Sequence, residues 1–324
     1  MITFGSPTTT ESDRQAWDRF VAESPHGSVF LRSGFLDALD LQWEIARVGP
    51  AATPSAAAII LRDQGGQVVE GPAPFCQYHG VLFEPAWADT PAHRRAKESV
   101  ERVAELLDGL VGEQRLSWCL HPRFTDIRAF NWFNYHAPEK GQFRIAIRYS
   151  GLIAVDRASG LAGVLEGSRS VRRQEYRKAA ARFQVASVLD VDLLDHLHRL
   201  TFARQGLERP AREVRLLRSL ASAALREGFG ELLVAFDGDG TPAGAALFLF
   251  DNRVGYYLVA ANDPQYRSAG VSTLLLMAGV ERGIARGVSA IDVVGMNSPA
   301  RGDFKASFGA EPVPYYVVDW ARPW

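Results

Sequence analysis

The sequence predicts an α/β (α+β) chain of two similar halves, each a mixed sheet flanked by helices. Three observations predict it. Residues 231–263 read as a meander of three strands, ELLVAFDGDG, TPAGAALFLFDN and RVGYYLVAAND, reversing at Asp239-Gly240 and Asp251-Asn252, both of which favour tight turns. The order of strands, a helix of about twenty residues, a short turn and another strand occurs twice. The helix of 90–112 runs into GEQRLSWCL, and that of 268–286 into RGVSAIDVV. Finally, 324 residues is long for a single core, and the pattern changes near Gly151, between the strand IAIRYSG and a basic helix. The halves share little residue identity, so the repeat is one of architecture. The domains expected are 1–150 and 151–312, with a final strand in 313–324.

Each element has a local reason. Ser12 precedes DRQAWDRFVAES, with Trp17, Phe20 and Val21 at helical spacing. SPHGSVFLRSGFLDALDLQ is a Pro/Gly turn and a second short helix. WEIARV, AAAIILR and QVVEG read as strands between the breakers GPAATPS and DQGG. On the helix of 90–112, Val100, Val103, Leu106, Leu107 and Leu110 share a face. Residues 160–183 read as one strongly basic helix, and VDLLDHLHRLTFARQG and REVRLLRSLASAALREG as two more. After the strand AIDVVG, residues 297–311 read as a loop, and PYYVVDW as the last strand.

Composition excludes several classes. Hydrophobic residues make up 47% and charged residues 23%, an ordinary globular balance. With a net charge of −1 the surface as a whole is not built for nucleic acid, so any polyanion must bind a local patch. Cys76 and Cys119 form no CxxC, as expected of free thiols in a reducing cytosol. The first twenty residues lack the basic and apolar regions of a signal peptide, and the longest apolar run, residues 243–250, is far too short for a membrane span. A cytoplasmic protein is expected. His196 and His198 lie at i, i+2 on a helix and point apart, so no metal set is expected. The sequence has no GxSxG, Walker or GxGxxG motif, and direct attack on an activated acyl group fits better than covalent catalysis.

Three stretches could carry such chemistry. In QYRSAGVSTLLL, Arg267, Gly270 and Ser272 place small residues and open backbone amides at a helix start, where an anion can bind. The spacing resembles the pyrophosphate loop of GNAT acyltransferases, with Ser272 where Gly or Ala is usual; it also describes an ordinary strand–turn–helix junction. SRSVRRQEYRKAAARF, 168–183, carries six basic residues against one acid. On a continuous helix Arg169, Arg173 and Arg177 stack on one face, suited to phosphates, or to docking on acidic neighbours. GDFKASFGAE, 302–311, sets Lys305 between Phe304 and Phe308. That lysine is either a surface charge above packed rings or a site cation for a phosphate or an oxyanion.

Taken together, SPHGSVFLRSGFLDAL, RRQEYRKAAARFQV, GYYLVAAND, VSTLLLMAGVERGIARGV and AIDVVGMN…DFKASFGAE resemble the tandem-GNAT proteins of the FemABX family, including BioF2-like and CelD-like acyltransferases. Arg32 stands where that family commonly has Gln. The resemblance implies two GNAT-like domains, the last strand returning to the first, and transfer of an aminoacyl group from aminoacyl-tRNA to an amine without a covalent enzyme intermediate. It implies no tightly bound cofactor, and a small-molecule, peptide or glycan amine as acceptor. Phe304 and Lys305 match a Phe-Lys pair beside the donor site, so Lys305, Phe304 and the strand backbone at Tyr257 become the catalytic candidates. Arg169, Arg173, Arg177, Arg204 and Asn297 become substrate-binding candidates, and Arg267, Gly270 and Ser272 donor-binding ones. Asp237 and Tyr256 are candidate bases by strand position. An acyl-CoA N-acyltransferase and a non-catalytic scaffold that binds through the basic helix are the alternatives.

Overall fold

The computed structural model describes residues 2–5, as backbone, and 11–323. In chain order the first elements are β1 (Ile2–Gly5), α1 (Glu11–Glu23), α2 (Ser33–Asp37), β2 (Gln42–Val48), β3 (Ala56–Arg62), β4 (Val81–Phe83), α3 (Ala92–Gly109), β5 (Arg115–Cys119), α4 (Arg128–Trp132) and β6 (Arg144–Ala154). There follow α5 (Gly160–Gly167), α6 (Ser170–Ala180), β7 (Gln184–Val188), α7 (Val191–Ala203), α8 (Ala211–Arg226), β8 (Gly230–Phe236), β9 (Pro242–Phe250) and β10 (Val254–Asn262). The last are α9 (Val271–Arg286), β11 (Ala290–Asp292), α10 (Pro299–Ala306) and β12 (Glu311–Ala321). Two compact units result: one of residues up to Arg148 with those from Pro314 onward, the other Tyr149–Val313.

In the first unit β1, β2, β3 and β4 form an antiparallel sheet in that order. Val317–Ala321 of β12 pairs antiparallel with β5. Helix α3 turns Val103, Leu106 and Leu107 inward against β2 and β3. Between them lies Trp118, fully buried, whose indole N–H donates to Ile59 O at 2.8 Å. That bond removes the cost of burying the ring's only polar group.

The second unit holds the predicted meander. Its strand order is β6-β11-β10-β9-β8-β7. The β8–β9 reversal is made as Asp-Gly chemistry requires: Asp237 accepts from the N–H groups of Asp239 and Thr241, and Gly240 takes φ +79°. Helix α9 packs on β8, β9 and β10, bringing Leu275, Met277 and Val280 into a core with Phe248 and Ile291. β11 pairs parallel with Val254–Tyr256 of β10 and antiparallel with Leu152–Ala154 of β6.

Three expectations are corrected. The basic stretch is two helices rather than one, because Ser168 and Arg169 adopt extended ψ angles between α5 and α6. Residues 299–306 are helical, not loop: Ser298 is extended at the N-cap and Pro299, whose fixed φ suits a first turn, opens α10. QVVEG contributes only a bridge from Val68 to Arg62.

The core is tight enough to predict from. A methyl group on Gly279 would sit 1.9 Å from the Phe248 ring, whereas one on Gly238 meets nothing within 4 Å. Gly279→Ala gains up to about 1 kcal/mol of helix propensity but overpacks the core. Its net effect should be destabilisation by about 1–3 kcal/mol in urea unfolding, against a change within about 0.5 kcal/mol for Gly238→Ala.

Candidate active site

The site begins where two strands part. β10 and β11 run side by side only as far as Tyr256 and Asp292. One residue later β10 bulges: Tyr257 pairs with Phe248 and Val259 with Leu247, so Leu258 is skipped. From Tyr257 on, the edge of β10 that faced β11 has no strand paired to it among the described residues, so the backbone of the bulge is left without a ladder partner on the side of the chain leaving β11.

That departing chain is fixed at every step. Asp292, 1% exposed, accepts from the Val294 N–H at 2.7 Å and from the Ser150 hydroxyl. Val293 and Met296 donate their N–H groups to Gly151 O and Tyr149 O. Asn297 closes the loop by using both ends of its amide on the Tyr149 backbone, accepting at 2.8 Å and donating at 3.0 Å. Val294 is thereby held at φ +51°, a left-handed conformation that costs a β-branched residue about 1–3 kcal/mol. Its carbonyl and that of Gly295 turn to the same side.

Lys305 fills the space these carbonyls define. It lies in the last turn of α10, and its half-buried ammonium donates to Val294 O and to Gly295 O, the latter at 2.9 Å. Burial pushes its pKa down to about 8; Asp292 opposes the fall and Arg301 adds to it. At neutral pH the group is still largely an ammonium, but it gives up its proton far more readily than a surface lysine.

Arg172 of α6 supports α10 from behind. Its guanidinium lies 4.8 Å from the Phe304 ring centre and 5.4 Å from that of Phe308, and Nε donates to Ser307 Oγ at 2.8 Å. Its Nη1 donates to Glu175 Oε2 at 2.6 Å, and that carboxylate also accepts from Thr273 Oγ1 in the first turn of α9. Helix α6 thus ties the Lys305 segment to the start of α9. The contact at α9 is close: a Cβ on Gly270 would lie 3.0 Å from Glu175 O.

The structure separates the candidates. Lys305 and, through its hold on Tyr149, Asn297 belong to the segment that leaves β11, which parts from β10 just before Tyr257. Four roles need correction. The Tyr257 ring is core, 5.2 Å from Phe248, and burial raises its hydroxyl pKa, so only its backbone serves. Asn297 spends both ends of its amide on the Tyr149 backbone and so holds the loop. Arg173 donates to Glu166 O and Ser168 O, capping the end of α5. Arg169 is outside the helix and pairs with Asp303 at 2.8 Å, which breaks the expected 169–173–177 stripe. Arg177, with Nε on Arg173 O at 3.3 Å, is exposed on α6.

The donor-binding candidates lie at the other end of β10. Gly270 caps α9 at φ +77°, Ser272 Oγ accepts from the Asn262 amide, and Arg267 is exposed. Arg204 follows Thr201, which bonds to Asn262. Asn262 lies six residues along β10 from Tyr256, roughly 20 Å, so Arg204 is not brought to Lys305. Neither candidate base is open. Asp237 is held below the usual carboxylate range, first by the Tyr266 hydroxyl and then by the turn amides, and Tyr256 donates to Asp251 at 2.8 Å. Sequence reasoning missed Asp292, a lone acid in an apolar strand, and the Arg172–Glu175 pair, whose i, i+3 spacing around the only acid of the basic stretch was its one signal.

Residues 167–306 match the family described as "Acetyltransferase (GNAT) domain". No curated protein matches the chain. Among solved structures it is similar to FemX, at 12% identity and a TM-score of 0.71, over 97% of this chain and 96% of that one. It is similar to a conserved protein of unknown function from Bacteroides thetaiotaomicron, at 12% identity and a TM-score of 0.63, over 99% and 100% of the two chains. A tandem GNAT protein from the clavulanic acid biosynthesis pathway aligns at 13% identity and a TM-score of 0.54, over 99% and 98%. Both cores and the whole length are thus accounted for by one fold.

The Lys305 environment predicts a pH effect on stability. Its folded pKa, about 8, lies below the ordinary 10.5, so between these values the unfolded chain binds more protons and stability rises with pH. Urea unfolding of the wild type should gain stability between pH 8 and 10.5 relative to Lys305→Met. In Asp292→Asn, which removes the charge that raises the lysine's pKa, the gain should begin at lower pH. Parallel curves for wild type and Lys305→Met would show the lysine is not desolvated.

Proposed function

We propose that this chain, a tandem GNAT-fold protein of the FemABX-like kind, forms amide bonds by moving an aminoacyl group from aminoacyl-tRNA to an amine acceptor. The observation that carries the reading is the Lys305 ammonium, poorly solvated and held by two backbone carbonyls on the chain that leaves β11 where β10 bulges. An acyl donor laid there would put its carbonyl oxygen near the bulge amides and this cation.

In the proposed reaction the neutral acceptor nitrogen attacks the ester carbonyl carbon. The carbonyl oxygen takes the negative charge, met by Lys305 and the backbone amides of Tyr257–Val259. Collapse breaks the bond to the ribose oxygen, and the proton lost by nitrogen ends on that oxygen. Cations placed where charge develops are worth about 10²–10³ in rate.

The choice of donor rests on α6 and α9. An acyl-CoA would set its pyrophosphate on the amides that open α9, but Glu175, paired with Arg172, is bonded into that first turn through Thr273, and the α6 backbone lies close against Gly270. Arg177 and Lys178, exposed one turn further along α6, are available to a phosphate backbone. The GNAT family match over 167–306 favours the acyl-CoA reading, with Arg267, Gly270 and Ser272 as its anion site.

Filter binding separates the two. Charged tRNA should be retained, with affinity that falls linearly in log–log plots as salt rises, and Arg177→Ala should flatten that slope. Acetyl-CoA should not compete. Lys305→Ala should cut turnover by about 10²–10³ while leaving tRNA retention nearly intact. Micromolar acetyl-CoA binding lost in Arg267→Ala, without tRNA binding, would establish the CoA reading instead.

A further inference from the structure

The first unit contains a cavity of about 310 Å³ that none of this chemistry uses. Its floor is aromatic. Phe83 lies 4.3 Å from Trp87 and 5.4 Å from Phe124, ring centre to ring centre, and the buried imidazole of His26 meets Phe83 edge-on at 5.3 Å. All four side chains line the cavity. Two guanidinium groups, Arg95 and Arg123, complete its wall, and both residues are exposed.

The charge around the cavity does not balance. Glu98 is held by Arg94 and Arg102, and Glu84 by Arg102 at 2.7 Å. Asp126, the acid in the cavity wall, takes three hydrogen bonds from Arg128, one of them from its backbone N–H, and one from Ser99; the arginine side chain holds its pKa down to about 2. Each carboxylate bonded into this neighbourhood is therefore already neutralised. Among the described residues Arg95 and Arg123 form no ion pair, so the cavity keeps two cations over an apolar floor. Aromatic rings accept a flat apolar group, and free guanidinium groups accept a carboxylate in a bidentate manner.

Size narrows the ligand further. A dry cavity of about 150 Å³ holds one benzene ring, and ligand pockets generally start near 300 Å³. This one suits one or two rings, not a nucleotide or a polymer segment. We propose that it binds a small aromatic carboxylate, its ring on Phe83, Trp87 and Phe124 and its anion between Arg95 and Arg123. The site is independent of the transfer chemistry proposed for the second unit.

Isothermal titration of the full chain with indole-3-acetate tests this, with the neutral isostere indole-3-acetamide alongside. The wild type should bind the acetate saturably at one site, and the amide at least about tenfold more weakly, a difference of about 1.4 kcal/mol. Arg95→Ala with Arg123→Ala, both exposed, should weaken the acetate by a similar factor and remove its salt dependence. Ala96→Trp, which fills the cavity from its wall without emptying the core, should abolish binding. Unchanged thermal unfolding would confirm that these variants fold. No saturable binding up to about 10 mM, equal binding of acetate and amide, or wild-type binding by both variants would overturn the proposal.

Discussion

An ammonium that leaves water must be given oxygens, and the loop after β11 is shaped by that requirement. Lys305 takes the carbonyls of Val294 and Gly295. Carbonyls of adjacent residues point the same way only if the backbone departs from strand geometry, and Val294 does so at φ +51°. Asp292 meets that cost. It bonds the Val294 N–H directly, and its negative charge favours the nearby ammonium. The strained residue, the buried acid and the poorly solvated lysine are thus one arrangement, each member unfavourable alone.

The same reasoning divides the arginines of α6. A guanidinium can buttress a fold or stay open to a ligand, but its fixed fork of donors seldom does both. Arg172 and Arg173 are committed to Phe304, Ser307 and Glu175, and to the end of α5. Arg177 and Lys178 remain in solvent. A count of positive charge therefore overstated what the helix offers to phosphate, by the number of arginines used to hold α6 against α10 and α9.

Most of the architecture was legible because it rests on local chemistry. The Asp237–Thr241 turn follows from Asp and Gly at fixed positions, and α3 and α9 from apolar residues at helical spacing. The removal of Lys305 from water was legible, since a lysine between two phenylalanines in a small-residue segment has few ordinary explanations. What was illegible depends on distant partners. That α10 is a helix follows from Ser298 and Pro299, a start signal outweighed by Gly295, Gly302 and Gly309 nearby. That Tyr257 faces the core, and that Asn297 clasps Tyr149 across 148 residues of sequence, could not be read from either segment alone. The break at Ser168–Arg169 escaped a helical-wheel argument because that argument assumes continuity.

A lysine with its pKa near 8 is suited to acyl transfer for a reason separate from charge alone. In the transfer we propose, the oxyanion needs a cation as the tetrahedral intermediate forms, and the departing oxygen needs a proton as it collapses. A surface lysine supplies the first and holds its proton too tightly for the second. A lysine brought down by burial is able to supply both within about two pH units of neutrality, the proton lost by the acceptor nitrogen restoring the ammonium, so the net transfer is still from nitrogen to the departing oxygen. The carbonyls that hold it are acceptors only, so they stabilise its protonated form between turnovers without competing for an incoming anion. Burial therefore tunes the group, and Asp292 limits how far the tuning goes by favouring the ammonium form.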